Sequence, residues 1–131
     1  MDRIMIIEDD GEMRSLLEEF FNKEGFDTDS ASNGPEGLLK VSEDHFNIVI
    51  TDIRMPGPTG LDILPTLRRL KPMIPVVVIT AYGSDDLRQR SFERGAAAYI
   101  EKPIRLSQLR TLIGELILGR QVEKTWSNAK S

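Results

Sequence analysis

The chain has no cysteine and a single histidine. The first absence excludes a disulfide framework and thiolate metal sites, and it fits a cytoplasmic protein. His45 has no serine, cysteine or second histidine nearby to work with, so it is assigned to the surface. Long hydrophobic runs are also missing. No apolar stretch approaches the ~20 residues needed to span a bilayer, and the acidic start is unlike a signal peptide, so no membrane contact is expected. There is little excess of charge of either sign: the net value is -4, and nothing global points to nucleic acid or an anionic surface as partner. Arg68, Arg69 and Lys71 form a basic cluster too small to argue for either. Present instead are 131 residues, 40% of them hydrophobic and 29% charged, a globular balance sufficient for a single domain with one continuous core.

Apolar patterning divides the chain into alternating strands and helices. Arg3 to Ile7 is a short apolar run that stops at three acids, Glu8, Asp9 and Asp10. Met13, Leu16, Leu17, Phe20 and Phe21 then recur at helical spacing. Phe26 to Ala31 is a polar strand suited to a sheet edge. Asn33-Gly34-Pro35 opens a helix that runs to about Glu43. Ile48 to Asp52 and Pro75 to Thr80 frame two apolar strands that suggest burial on both faces. Between them, Met55 to Gly60 reads as a loop, and Leu61 to Leu70 as a helix that Pro65 should kink or shorten. Ser84 can cap a helix reaching Arg94 before Gly95. Ala97 to Glu101 is a last strand, and Leu106 to Leu118 a last helix. Five alternations with short connections predict a doubly wound five-stranded parallel α/β sheet with helices on both faces. Residues 119–131 lose the apolar period and read as a flexible tail or truncated linker.

In open α/β sheets, sites form beyond the carboxyl ends of the strands. Here those ends carry Glu8-Asp9-Asp10, Asp52, Thr80 and Glu101-Lys102. Converging carboxylates repel one another and need a cation. Carboxylate oxygens without histidine or cysteine suit Mg²⁺, which keeps some of its waters and leaves positions open. Thr80 adds a hydroxyl and Lys102 a compact positive charge, a set able to surround the oxygens of a transferring phosphoryl group. Asp52 is the nucleophile candidate because it ends a central strand just before a rigid loop. A carboxylate nucleophile would form an acyl phosphate, which is labile and suits a temporary signal.

Four segments in this order, IIEDDGEMR (6–14), VITDIRMPGPTGLD (49–62), VVVITAYG (76–83) and AAAYIEKPI (96–104), are similar to the response-regulator receiver domain of two-component signalling, a CheY-like family. The resemblance covers roughly residues 3 to 118 and implies a receiver domain over 1–118 with strand order 2-1-3-4-5. It also implies Asp52 as phosphoacceptor, Mg²⁺ held by Asp9 and Asp52 with Glu8 acting through water, and the Arg54 backbone carbonyl completing the protein's share of the metal shell. Thr80 becomes the switch hydroxyl, Lys102 the phosphate-binding base, and Tyr99 the aromatic that changes exposure. Lys102-Pro103 matches the family's cis peptide. The implied partners are a sensor histidine kinase or phosphotransfer protein and a downstream effector or fused output domain, with a homodimer through the fourth helix, fifth strand and fifth helix as a further expectation. No helix-turn-helix segment or second catalytic domain is visible, so a stand-alone receiver and the N-terminal part of a longer regulator both fit.

Departures from the family pattern are Glu8 in place of the commoner aspartate, Gly11 where proline is frequent, Asn47 where an acid is common, and Pro65. Plainer readings remain beside the functional ones. The three acids could serve the dipole of the following helix, Lys102 could be a solvated lysine, Thr80 a strand-end hydroxyl bonded to backbone, and Tyr99 a core residue. Two rival functions also remain. One is a receiver-like interaction module that is never phosphorylated. The other is a haloacid-dehalogenase-type phosphohydrolase, although such enzymes carry their nucleophile after the first strand and pair it with an acid two residues later, where this chain has Arg54. A nicotinamide-binding fold lacks its glycine fingerprint here, and a flavin module would not place three acids at its phosphate loop.

Overall fold

The computed structural model describes residues 1–53, 60–119 and, for the backbone alone, 125–126. Strands β1 (Arg3–Ile7), β2 (Asp27–Ala31), β3 (Ile48–Asp52), β4 (Val76–Thr80) and β5 (Ala98–Glu101) alternate with helices α1 (Gly11–Lys23), α2 (Gly34–Glu43), α3 (Gly60–Leu70), α4 (Asp85–Glu93) and α5 (Leu106–Ile117). The strands are parallel, in the order β2-β1-β3-β4-β5. No helix among the described residues is long and apolar enough to cross a membrane.

Alternation along each strand divides the core in two. Met5, Ile7, Val49 and Val78 face a layer containing Val41 of α2 and Leu64 and Leu67 of α3, with Leu87 and Phe92 of α4 packed at its margin. Ile4, Ile6, Ile48, Ile50, Val77 and Ile79 face Leu17 and Phe21 of α1 and Leu109, Leu112 and Ile113 of α5. Every residue of β3 and β4 is buried, which is why their sequences are nearly continuous runs of valine and isoleucine. β2 lies at the edge, half exposed, and its Asp27, Thr28 and Asp29 reflect that position.

Helix starts follow their caps. Asp10 Oδ1 accepts from Glu12 N–H at 3.0 Å, Asn33 Oδ1 from Glu36 N–H at 2.8 Å, and Ser84 Oγ from Leu87 N–H at 3.1 Å. Asn47 ties the start of β3 to β1: Arg3 N–H donates to its side-chain oxygen and its own N–H donates to the Arg3 carbonyl, both at 2.8 Å.

One expectation is corrected. Pro65 does not shorten its helix, because α3 runs unbroken from Gly60 to Leu70. The carbonyl that proline leaves without an intrahelical donor, that of Leu61, accepts from Arg94 Nη1 at 3.0 Å instead. Within the expected tail, the backbone of Thr125–Trp126 forms a sixth, two-residue strand, β6, parallel to β5 and paired with Tyr99 and Ile100. β5 would otherwise present an open edge of unpaired donors and acceptors. A segment of two residues is too short to show a period in sequence.

Candidate functional site

The parallel register brings the polar strand ends to one edge of the sheet. Asp52 is opposite Ile79, one residue before Thr80, and Thr80 is opposite Glu101. Lys102 N–H donates to the Thr80 carbonyl at 2.8 Å, so the chain just beyond β5 stays fastened to β4. The Lys102–Pro103 peptide is cis.

The three acids after β1 divide their work. Asp10 caps α1, the plainer reading offered for the whole run. Asp9 is exposed and Glu8 is wholly buried, and both belong to a cluster with Asp52 in which one carboxylate oxygen from each lies within 4.8 Å of the others. The Lys102 ammonium sits between two of these groups, 2.8 Å from Glu8 Oε1 and 2.9 Å from Asp52 Oδ2. It is not the solvated lysine of the plainer reading.

One ammonium against three carboxylates leaves an excess of negative charge, and the titration of Glu8 reflects it. Burial, reinforced by the neighbouring Asp52, pushes its carboxyl up to about 7 although Lys102 pulls the other way. For Lys102, burial alone would lower the value, but its bonds to Glu8 and Asp52 more than reverse this and hold it above the ordinary lysine range. Three oxygen donors with no nitrogen or sulfur ligand among them fit a hard divalent cation such as Mg²⁺.

Thr80 is fully buried at the end of β4, and its hydroxyl oxygen accepts from Tyr82 N–H at 3.2 Å. Tyr99 is also fully buried, in the layer beneath α3 and α4, with its phenol oxygen accepting from Ser84 N–H at 3.2 Å. Burial raises its phenol above the ordinary tyrosine value. Arg54 falls outside the described residues, as does most of the loop read from Met55 to Gly60. His45 is exposed.

Two supporting residues were not singled out by sequence reasoning. Arg14 Nη1 donates to the Glu8 carbonyl at 2.8 Å and so fixes the turn that carries the acids. Its signal is an arginine one turn into a helix that begins beside an acidic run. Gly60 begins α3 directly against the end of β3: a Cβ there would stand 2.2 Å from the Asp52 carbonyl oxygen. Only glycine permits that approach, and its place at the end of a proline-rich loop made it look like turn chemistry alone.

An acidic pocket with a lysine beside its buried aspartate thus stands at the carboxyl edge of a doubly wound sheet, the place where such folds carry their sites, with oxygen donors that suit a hard cation. The profile of the response regulator receiver domain matches residues 4–114, and the chain belongs to that family. It is 36% identical over 112 residues to sporulation initiation phosphotransferase F of Bacillus subtilis, covering 86% of this chain and 90% of that one. Among solved structures, it superposes on response regulator TrrA of Thermotoga maritima in complex with Mg²⁺-BeF with a TM-score of 0.81 and 32% identity, over 88% of this chain and 99% of that one. The beryllofluoride-activated NtrC4 receiver domain dimer matches with a TM-score of 0.86 and 26% identity, over 91% and 98%. The chain spans only 24% to 53% of the length of several transcriptional regulators that it also matches.

Proposed function

We propose that Asp52 accepts a phosphoryl group from a phosphohistidine on a sensor histidine kinase or phosphotransfer protein, and that this switches the surface formed by α4, β5 and α5. The observation that carries the reading is the Lys102 ammonium 2.9 Å from Asp52 Oδ2, inside a cluster of carboxylate oxygens all within 4.8 Å of one another. In the transfer, a carboxylate oxygen of Asp52 attacks phosphorus, the P–N bond breaks, and the donor imidazole keeps the electron pair. The product is an acyl phosphate that water can later cleave.

Mg²⁺ held by Asp9 and Asp52, with Glu8 acting through water, would neutralise the acidic pocket and the phosphoryl oxygens. The Arg54 carbonyl is assigned to the same shell by family pattern alone. Lys102 would shift its bond from Asp52 Oδ2 to a phosphoryl oxygen, and the Thr80 hydroxyl, which accepts from Tyr82 N–H, would donate its proton to another. The Lys102 ammonium already stands beside Asp52, so its charge is in place before the step. Thr80 moving toward the phosphoryl group changes the packing available to Tyr99, and with it the position of α4. This is a population shift biased by the new charge. The face so altered binds an effector, a fused output domain or a second copy of the chain. The haloacid-dehalogenase reading is disfavoured because Asp52 ends β3 rather than β1.

Beryllium fluoride, a phosphoryl mimic, tests the pocket directly. Titration is expected to show Mg²⁺-dependent binding of one equivalent by the wild-type protein and none by Asp52→Ala. Absence of binding with Mg²⁺ present would overturn the proposal in favour of a phosphorylation-independent interaction module.

A further inference from the structure

Helix α4 is fastened very differently at its two ends. At the N-terminal end, the turn before it is tied to the sheet by long bonds to two buried strand residues, Tyr82 N–H to the Thr80 hydroxyl and Ser84 N–H to the Tyr99 phenol, both at 3.2 Å. Asp85 and Asp86 of the first turn are exposed. Ser91, the only wholly buried residue of α4, belongs to its last turn. Beyond it, Arg94 reaches across to α3 and donates to the Leu61 carbonyl at 3.0 Å. Arg68 of α3 reaches the other way: its Cγ would lie 2.9 Å from a Cβ on Gly95, and its Nη1 donates to the Ile74 carbonyl at 2.8 Å. Gly95, at φ +102, supplies the backbone conformation and the space that this crossing of two arginines requires.

The acceptor for Arg94 exists because of Pro65. In an uninterrupted helix the Leu61 carbonyl would take the N–H of residue 65, four positions on, but proline has none and its ring crowds that carbonyl outward. The freed carbonyl follows Gly60, which is packed against the carbonyl of Asp52 itself. Arg94 therefore joins the C-terminal end of α4 to the turn immediately beneath the proposed phosphoacceptor.

We infer that Arg94 is a positioning residue: with the Leu61 carbonyl exposed by Pro65 it forms a latch that holds the C-terminal end of α4, so that the helix pivots there and moves at its Ser84 end. The latch stands on the unphosphorylated geometry, and its part in switching rests on the reading of Asp52 as phosphoacceptor. The pivot converts a displacement at Thr80 and Tyr99 into a swing of the first turn of α4, and keeps the last turn fixed on α3.

Amide hydrogen exchange on the full chain tests both halves of this inference. The N–H groups of Arg94, Gly95 and Ala96 report the latched end, since they donate to Arg90, Phe92 and Ser91 at 3.1, 3.0 and 3.0 Å. In unliganded protein, Arg94→Ala is expected to speed exchange at these three amides about tenfold, the loss of one charge-assisted bond, and to leave β4 amides unchanged. Arg94→Lys should restore part of the protection. In a Pro65→Ala background, where Leu61 regains a helical donor, the same Arg94→Ala change should shrink to within about twofold. Equal acceleration in both backgrounds would overturn the latch. With Mg²⁺ and beryllium fluoride, wild-type exchange should change from Ser84 to Arg88 and not at Arg94 to Ala96, whereas Arg94→Ala should spread the change along the whole helix. Equal changes at both ends of wild-type α4 would overturn the pivot. If beryllium fluoride does not bind at all, the assignment of Asp52 fails along with the pivot, and the unliganded comparison still decides the latch.

Discussion

At the scale of single residues, Glu8 carries the sharpest consequence. Its side chain is fully buried, and it reaches Lys102 at 2.8 Å. Burial raises its carboxyl from 4.5 to about 7 in the folded, metal-free protein, so between those values the folded state holds a proton that the unfolded chain has released. The associated stability is fully present below the unfolded value and is lost as pH rises through about 7. The urea midpoint of metal-free protein should therefore fall between about pH 5.5 and about pH 8, and Glu8→Gln should flatten that decline. A midpoint that rises over the interval, or a decline untouched by Glu8→Gln, would show that the buried carboxyl is not the titrating group. Saturating Mg²⁺ should oppose the decline, because a bound cation favours the ionised carboxylates. Asp52, Thr80 and Lys102 were all legible in sequence as polar residues closing strands. The Arg14 bond to the Glu8 carbonyl was not, since no spacing rule links an arginine to a backbone oxygen six residues earlier.

At the scale of elements, the site depends on how closely α3 follows β3. Gly60→Ala would drive a Cβ against the Asp52 carbonyl at 2.2 Å, and backbone must move to relieve it. Unfolding by denaturant should show a loss of about 1–3 kcal/mol, with beryllium fluoride affinity reduced as well. Unchanged stability would mean that α3 starts farther from the acceptor than described. The strands were legible for physical reasons: β3 and β4 are buried on both faces, so their valine and isoleucine runs admit no other reading, and β2 is polar because it is an edge. Helix caps at Asn33 and Ser84 were equally plain. α3 was harder. A proline inside a helix predicts a kink or a shortening, and the tertiary contact from Arg94, which takes up the carbonyl it frees, is not visible in sequence. The β6 pairing depends on the open edge of β5, a property of the assembled sheet that no local pattern displays.

At the scale of the whole molecule, α4 stands apart from the other helices in how little of it is buried. The α1 and α5 layer packs large apolar side chains against the sheet, whereas α4 buries only Ser91 completely and has Leu87 and Phe92 half-buried at the margin of the other layer. The element proposed to move is thus the least committed to the core, as expected for regions that open at low free energy. The proposed switch face includes it. If that face pairs with a second copy once Asp52 is modified, sedimentation of the beryllium fluoride complex should show concentration-dependent dimers where the unliganded protein stays monomeric. Identical sedimentation of the two forms over a wide concentration range would remove homodimerisation from the account and leave a heterologous effector.

The central claim is that Asp52 is the acceptor in a Mg²⁺-dependent phosphoryl transfer, and intact mass tests it most directly. Wild-type protein and Asp52→Ala are each incubated with acetyl phosphate and Mg²⁺, with and without EDTA. The account predicts a gain of one phosphoryl group by the wild type, lost with EDTA and absent from Asp52→Ala. A gain of equal size in Asp52→Ala, or no gain by a wild-type protein that also fails to bind beryllium fluoride, would contradict it.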